Sequence, residues 1–207
     1  MGLSTSRIVE IQVINKTQNI TLKKRRTYFY SGQRLKVPHS PVSPGSSSTS
    51  KFINSSTFWG CNGILAYEAE SFTLAIYFSN PITHSLFSVE MGLELSLEKF
   101  HKMELDTAYD RLVRCSRDPS DNAMFPCAFL KDSQNQAQVS AGPVTVTATM
   151  ARGWTTFIRV VVEERGNSGD GAGIETRPVE QETSGRSENL QDLQEVCVDS
   201  PGTARVA

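Results

Sequence analysis

Tyr28, Phe29 and Tyr30 close one strand-like stretch of this chain, Tyr77 and Phe78 close another, and a serine follows each, Ser31 and Ser79. Aromatic faces attract quaternary ammonium groups, and nearby hydroxyls receive phosphate oxygens. Together these are the needs of a phosphocholine headgroup. Phe87 and Tyr109 extend the set. Phe29, Tyr77 and Phe78 read as ordinary core, leaving Ser31, Ser79, Phe87 and Tyr109 as the binding candidates. Composition alone favours a structural role for these four as well.

Catalytic and metal chemistry finds little to work with. The three histidines, His39, His84 and His101, read as surface residues of loops and strand ends. No G-x-S-x-G elbow, H-E-x-x-H or phosphate-cradling G-x-x-x-x-G-K-[ST] occurs. Cys61, Cys115, Cys127 and Cys197 form no C-x-x-C pair and lie at no zinc-ligand spacing to a histidine. The expectation is a protein that is not an enzyme, with no metal and no cofactor. A Cys115–Cys127 bridge stays open.

Charge is unevenly spread. The net charge is −1, but residues 166–207 hold eight Asp/Glu against three Arg, a net of −5, which leaves +4 for residues 1–165. A mildly basic body tolerates an anionic membrane surface, while nucleic-acid binding is not indicated. The start MGLSTSRIVE has no signal-peptide h-region, so a cytoplasmic start stays open and the sequons at Asn15, Asn19 and Asn54 have no evident route to glycosylation. Met-Gly-Leu-Ser-Thr-Ser fits the N-myristoylation pattern, with Gly2 as acceptor and Ser6 at the preferred position. No apolar run approaches the ~20 residues that span a bilayer as helix.

The elements that must position these residues are mostly strands. Residues 8–14 (IVEIQVI) alternate with period two, and 20–30 (ITLKKRRTYFY) form a second strand after a turn at 15–18. Residues 39–50 read as loop from their Pro, Gly and Ser content. The hairpin 63–81, GILAYEAESFTLAIYFSNP, has strands apolar on both faces, which places it centrally, and Pro81 ends it. Residues 86–95 offer another strand. Leu105, Ala108, Tyr109, Leu112 and Val113 recur at helical spacing over 104–115, with Asp106 as N-cap. DPSDNAMFPC reads as loop, and 139–150 and 155–162 read as strands. No repeat is visible. The fold class expected is all-β: an antiparallel β-sandwich over 7–165 with one flanking α-helix, a short arm at 1–6, and a disordered acidic tail at 166–207.

The stretches TYFYSG (27–32), VPH (37–39) and GILAY…TLAIYFSNP (63–81) resemble the actinoporins, the sea-anemone cytolysin family, in order and approximate spacing. The resemblance can be laid along the chain to about Glu164, loosely over 97–150. It implies a sandwich with a helix on each face, binding to sphingomyelin-containing membranes, self-oligomers on the membrane, and pores made by an N-terminal amphipathic helix. It also implies secretion to a target-cell membrane surface, from a nematocyst if the source is cnidarian. Residue by residue, the headgroup pocket of the family falls on Ser31, Ser79, Pro81, Phe87 and Tyr109. Departures stand at Asn62, at Val113 and Arg114 in place of a tyrosine pair, and at Leu86, where the membrane-facing loop of the family has a tryptophan. Only six residues precede Arg7, where the first strand begins, against ~20 residues for a crossing helix. Perforation by this chain is therefore not the expectation that membrane binding is. The fungal fruit-body lectins resemble actinoporins in fold, which keeps a non-lytic lipid- or glycan-binding module as the alternative.

Overall fold

Alternation of side chains above and below a strand dictates the first layer. In the computed structural model, which describes residues 6–37, 41–97, 104–118, 125–131 and 134–165, Val9, Ile11 and Val13 of β1 (Ile8–Asn15) point inward and are fully buried. Gly2, His39, His101, Cys197 and the acidic tail lie outside the described residues. The remaining elements are β2 (Lys23–Ser31), β3 (Gln33–Lys36), β4 (Ser47–Ile53), β5 (Cys61–Glu68), β6 (Thr73–Asn80), β7 (Glu90–Ser96), α1 (Leu105–Arg117), β8 (Cys127–Leu130), β9 (Gln136–Ala141), β10 (Val144–Ala151) and β11 (Thr155–Glu164).

The strands form two sheets, one ordered β3-β4-β1-β11-β10-β9 and the other β2-β5-β6-β7-β8. Every pairing is antiparallel except β1 with β11, which run parallel. The all-β sandwich with one flanking helix is thus the observed architecture, with a single helix among the described residues. The second helix implied by the actinoporin resemblance is not among them.

The central hairpin is apolar on both faces because both faces are covered. Leu65, Tyr67, Leu74, Ile76 and Phe78 pack between the sheets, while Ile64, Ala66, Ala75 and Tyr77 face α1. Between the sheets, Phe52 and Phe78 stack at 5.0 Å, and Phe29 meets both edge-on at 5.4 and 6.4 Å. α1 lays Ala108, Tyr109, Leu112 and Cys115 on the outer face of the second sheet. Arg111 anchors it there: its Nε and one terminal nitrogen donate to the two carboxylate oxygens of Glu94 at 3.0 and 2.7 Å. This accounts for a fully buried glutamate in an apolar strand.

Several boundaries differ from the sequence reading. The supposed loop 39–50 contains the start of β4, whose inward residues Ser48 and Ser50 are too small and polar to register as an apolar stripe. β3 and β8 are too short to show a period. Residues 139–150 are two strands, β9 and β10, turned at Gly142 with φ +55°. β2 begins at Lys23 rather than 20, and β7 at Glu90 rather than 86, which leaves 86–89 in a loop. Glu104, not Asp106, occupies the N-cap, with no side-chain cap; Asp106 sits in the first turn, where it accepts the Thr107 N–H at 2.6 Å. The helix runs to Arg117, and Asp118 is extended (φ −134°, ψ 99°), as the residue before a proline tends to be.

Candidate functional site

Ladder register decides which strand-end residues become neighbours. Ser31 pairs with Asn62, Asn62 with Ser79, and Ser79 with Glu90, so four polar side chains form one row across β2, β5, β6 and β7. Ser79 Oγ donates to Asn62 Oδ1 at 3.1 Å, and Ser31 Oγ donates to the Gly60 carbonyl. The bulge between Phe29 and Ser31 aligns Ser31 with this row. Two residues further into the sheet, on the same face, stand Ile64 of β5 and Tyr77 of β6, which belong to the surface under α1.

Beside that row three tyrosines gather around the ring of a fourth. Tyr109 of α1 lies 5.6 Å from Tyr28, 5.6 Å from Tyr30 and 5.7 Å from Tyr77, parallel to Tyr30 and tilted to the others. Tyr109 and Tyr77 are buried, whereas Tyr30 is exposed and covers the open side. Burial pushes the Tyr77 phenol well above its ordinary value, reinforced by the Tyr109 phenol and the Glu90 carboxylate and opposed by Ser79 and Arg117. Burial does the same to Tyr109, reinforced by Tyr30, Tyr28 and Asp110 and again opposed by Arg117. Both phenols therefore stay protonated at neutral pH and act as hydrogen-bond donors. The cluster offers ring faces to a cation and O–H groups to an anion, within the field of Arg117.

The rim is apolar. Exposed Phe58 and Trp59 stand in the loop 54–60, Leu86 and Phe87 in the loop 81–89, and Trp154 in the turn 152–154. Buried Arg7 gathers these loops at one end of the sandwich. Its N–H donates to Asn54 Oδ1 and its carbonyl accepts the Asn54 N–H; its Nε donates to the Pro81 carbonyl at 2.8 Å and a terminal nitrogen to that of Ile82, and its guanidinium lies 3.8 Å over the Trp154 ring. Asn80 adds three bonds, to the carbonyls of Ile8, Gly153 and Trp154. Gly60 closes the seam, since a Cβ there would lie 2.4 Å from the Asn80 oxygen and 2.7 Å from the Pro81 Cα.

Of the sequence candidates, the fold brings Ser31, Ser79 and Tyr109 into this region, and Asn62 joins the hydroxyl row between the two serines. Pro81 is buried, with its carbonyl taken by Arg7, so it shapes the loop from beneath. Phe87 and Leu86 lie on the exposed loop at the same end, 64 % and 75 % exposed, and Phe87 makes no ring contact with the tyrosines. Val113 packs against the helix–sheet cluster, and Arg114 is exposed. Tyr77, assigned to the core from sequence, is buried but also forms the floor of the tyrosine cluster. Tyr28 and Tyr30 were noted as strand-end aromatics but not placed at the site, and Arg117, Glu90 and the tips Phe58, Trp59 and Trp154 were missed. Strand alternation carried a signal for two of them: with Phe29 turned to the core, Tyr28 and Tyr30 must share the opposite face.

With this geometry in view, solved structures of similar fold can be compared. The crystal structure of the lipid binding protein Nakanori superposes with a TM-score of 0.60 over 77% of this chain and 71% of that one, at 13% identity. A likeness at that identity is one of fold. IP-1A from Alcaligenes faecalis aligns over 77% of this chain and 92% of that one with a TM-score of 0.39 and 13% identity, too slight to carry an argument. No known family profile matches the chain, and no curated protein matches it in sequence.

Proposed function

We propose that this protein binds phosphocholine lipids, sphingomyelin among them, at a membrane surface, as a binding protein and not as an enzyme. The observation that carries the reading is coincidence of place. A four-tyrosine cluster and a Ser-Asn-Ser hydroxyl row open at the same end of the sandwich that presents Phe58, Trp59, Leu86, Phe87 and Trp154 to solvent. A trimethylammonium group takes the exposed ring face of Tyr30, which stacks on buried Tyr109, and the phosphate takes O–H donors on the side toward Arg117. The exposed aromatic tips suit the lipid interface, where one end of a ring is apolar and the other wet. The likeness of fold to a lipid binding protein supports the reading, as does the resemblance of the strand ends to the actinoporins.

Co-sedimentation with vesicles tests it. Phosphatidylcholine and sphingomyelin vesicles are expected to pull the protein down, and vesicles of phosphatidylethanolamine alone to do so weakly. A Ser31→Ala, Tyr109→Ala double variant is expected to bind about tenfold more weakly, from the lost ring that supports Tyr30 and one lost hydroxyl. Equal binding to all vesicles, or an unaffected double variant that remains folded, contradicts the assignment. Dye release from the same vesicles reads perforation separately from binding, and a glycan array reads the lectin alternative.

A further inference from the structure

Cys115 lies in the last turn of α1 and Cys127 opens β8, and neither side chain belongs to the headgroup site. Their sulfurs are 3.2 Å apart, and both are thiols in this structure. The surroundings hold this approach from two sides. Arg111, one helical turn before Cys115, is fixed to Glu94, and Glu94 is the ladder partner of Cys127. On the other side, Lys131 at the end of β8 donates to the carbonyl of Ser116. The pair is therefore pinned by ion pair, ladder and hydrogen bond, and a disulfide needs only a further approach of about 1.2 Å.

We infer that Cys115 and Cys127 form a reversible disulfide that fixes α1 to the second sheet and thereby tunes the tyrosine cluster. The oxidant class is a small disulfide such as glutathione disulfide. One protein thiolate attacks it and releases a glutathione thiol, and the second protein thiolate then displaces the other glutathione. Two protein thiols and one glutathione disulfide thus become one protein disulfide and two glutathione thiols, the protein sulfurs being oxidised and those of the reagent reduced. Cys61 is the poor alternative partner: it is fully buried, and burial pushes its thiol up to about 12, which suppresses the attacking thiolate. α1 supplies Tyr109, and Arg117 two residues past Cys115, so a bond at Cys115 holds both against the strands that carry Tyr28, Tyr30 and Tyr77. The consequence for binding rests on the lipid reading above; the bond itself does not.

The experiment uses the full chain carrying Cys197→Ser, equilibrated in glutathione buffers of graded ratio. Intact mass is expected to show loss of two hydrogens without a glutathione adduct, peptide mapping to join Cys115 to Cys127, and Tm to rise by roughly 5–10 °C for a loop of this size. Hydrogen exchange in α1 is expected to slow, and neither Cys115→Ser nor Cys127→Ser to show any of these changes. Phosphatidylcholine vesicles are expected to bind the oxidised form about fivefold more tightly and, by reciprocity, to make the bond harder to reduce by the same factor. A stable glutathione adduct on Cys127, intermolecular dimers, or a bond that leaves Tm and α1 exchange unchanged overturns the inference. A bond that forms and slows exchange while neither redox form binds vesicles sinks the lipid reading and leaves the tether standing.

Discussion

Three tyrosines in ring contact with a fourth, Tyr109, are an unusual expenditure of tyrosine, of which the whole chain has five. Their ionisation gives a test independent of any ligand. Tyr77 and Tyr109 have folded pKa values raised by burial above the unfolded value of about 10. Raised acids favour the neutral form in the native state, so their contribution to stability is fully present below about pH 10 and is lost as pH rises toward the folded values. Spectrophotometric titration is expected to show delayed ionisation of these two tyrosines, and urea midpoints to stay flat between pH 7 and 9 as far as these groups are concerned. Ordinary ionisation of both near pH 10 in the native protein refutes the buried cluster. Replacing exposed Tyr30 by Ala leaves the core intact and is expected to weaken phosphocholine vesicle binding by about 2- to 30-fold, the range of one cation–π contact, in a vesicle titration. At this scale the sequence was half legible. Ser31 and Ser79 were visible because each follows an aromatic strand end, while Arg117 and Glu90 became neighbours of the tyrosines only through helix placement and sheet register.

Among the elements, α1 depends most on a single interaction. Glu94 is fully buried and its carboxylate is held bidentately by Arg111, so removing one partner leaves a charge stranded in the interior. Arg111→Ala is expected to cost about 3–5 kcal/mol in urea unfolding. Adding Glu94→Leu to it is expected to recover most of that loss, because an apolar pair of similar volume suits the site as well. Failure of the double variant to recover shows that Arg111 acts by packing, including its approach to the Phe125 ring at 4.8 Å, and not by charge. The helix and the hairpin over β5 and β6 were legible because their apolar residues repeat at periods that belong to one element type. β4 was not, because its buried face begins with Ser48 and Ser50 and only then reaches Phe52. Gly63 shows the same limit: its Cβ position lies 2.3 Å from the Tyr28 carbonyl, a constraint set by the neighbouring strand and invisible in local sequence.

For the whole molecule, the proposed lipid binding sets an orientation: the end gathered by Arg7 and Asn80 would face the membrane, with the tyrosine cluster beside the apolar tips. That gathering could not be seen in sequence. Phe58 and Trp59 sit in the aperiodic stretch SSTFWG, and Trp154 lies about 95 residues further along, so only the pairing of β1 with β4 and β11 brings them to the same end. The chain has two tryptophans, Trp59 and Trp154, and both are at this end, 59 % and 58 % exposed. Intrinsic fluorescence therefore reports the docking end alone. On titration with phosphatidylcholine–sphingomyelin vesicles, emission is expected to shift to the blue and to be quenched by brominated acyl chains, with the response weakened in Tyr109→Ala. Vesicle-bound protein whose tryptophan emission neither shifts nor is quenched contradicts the account.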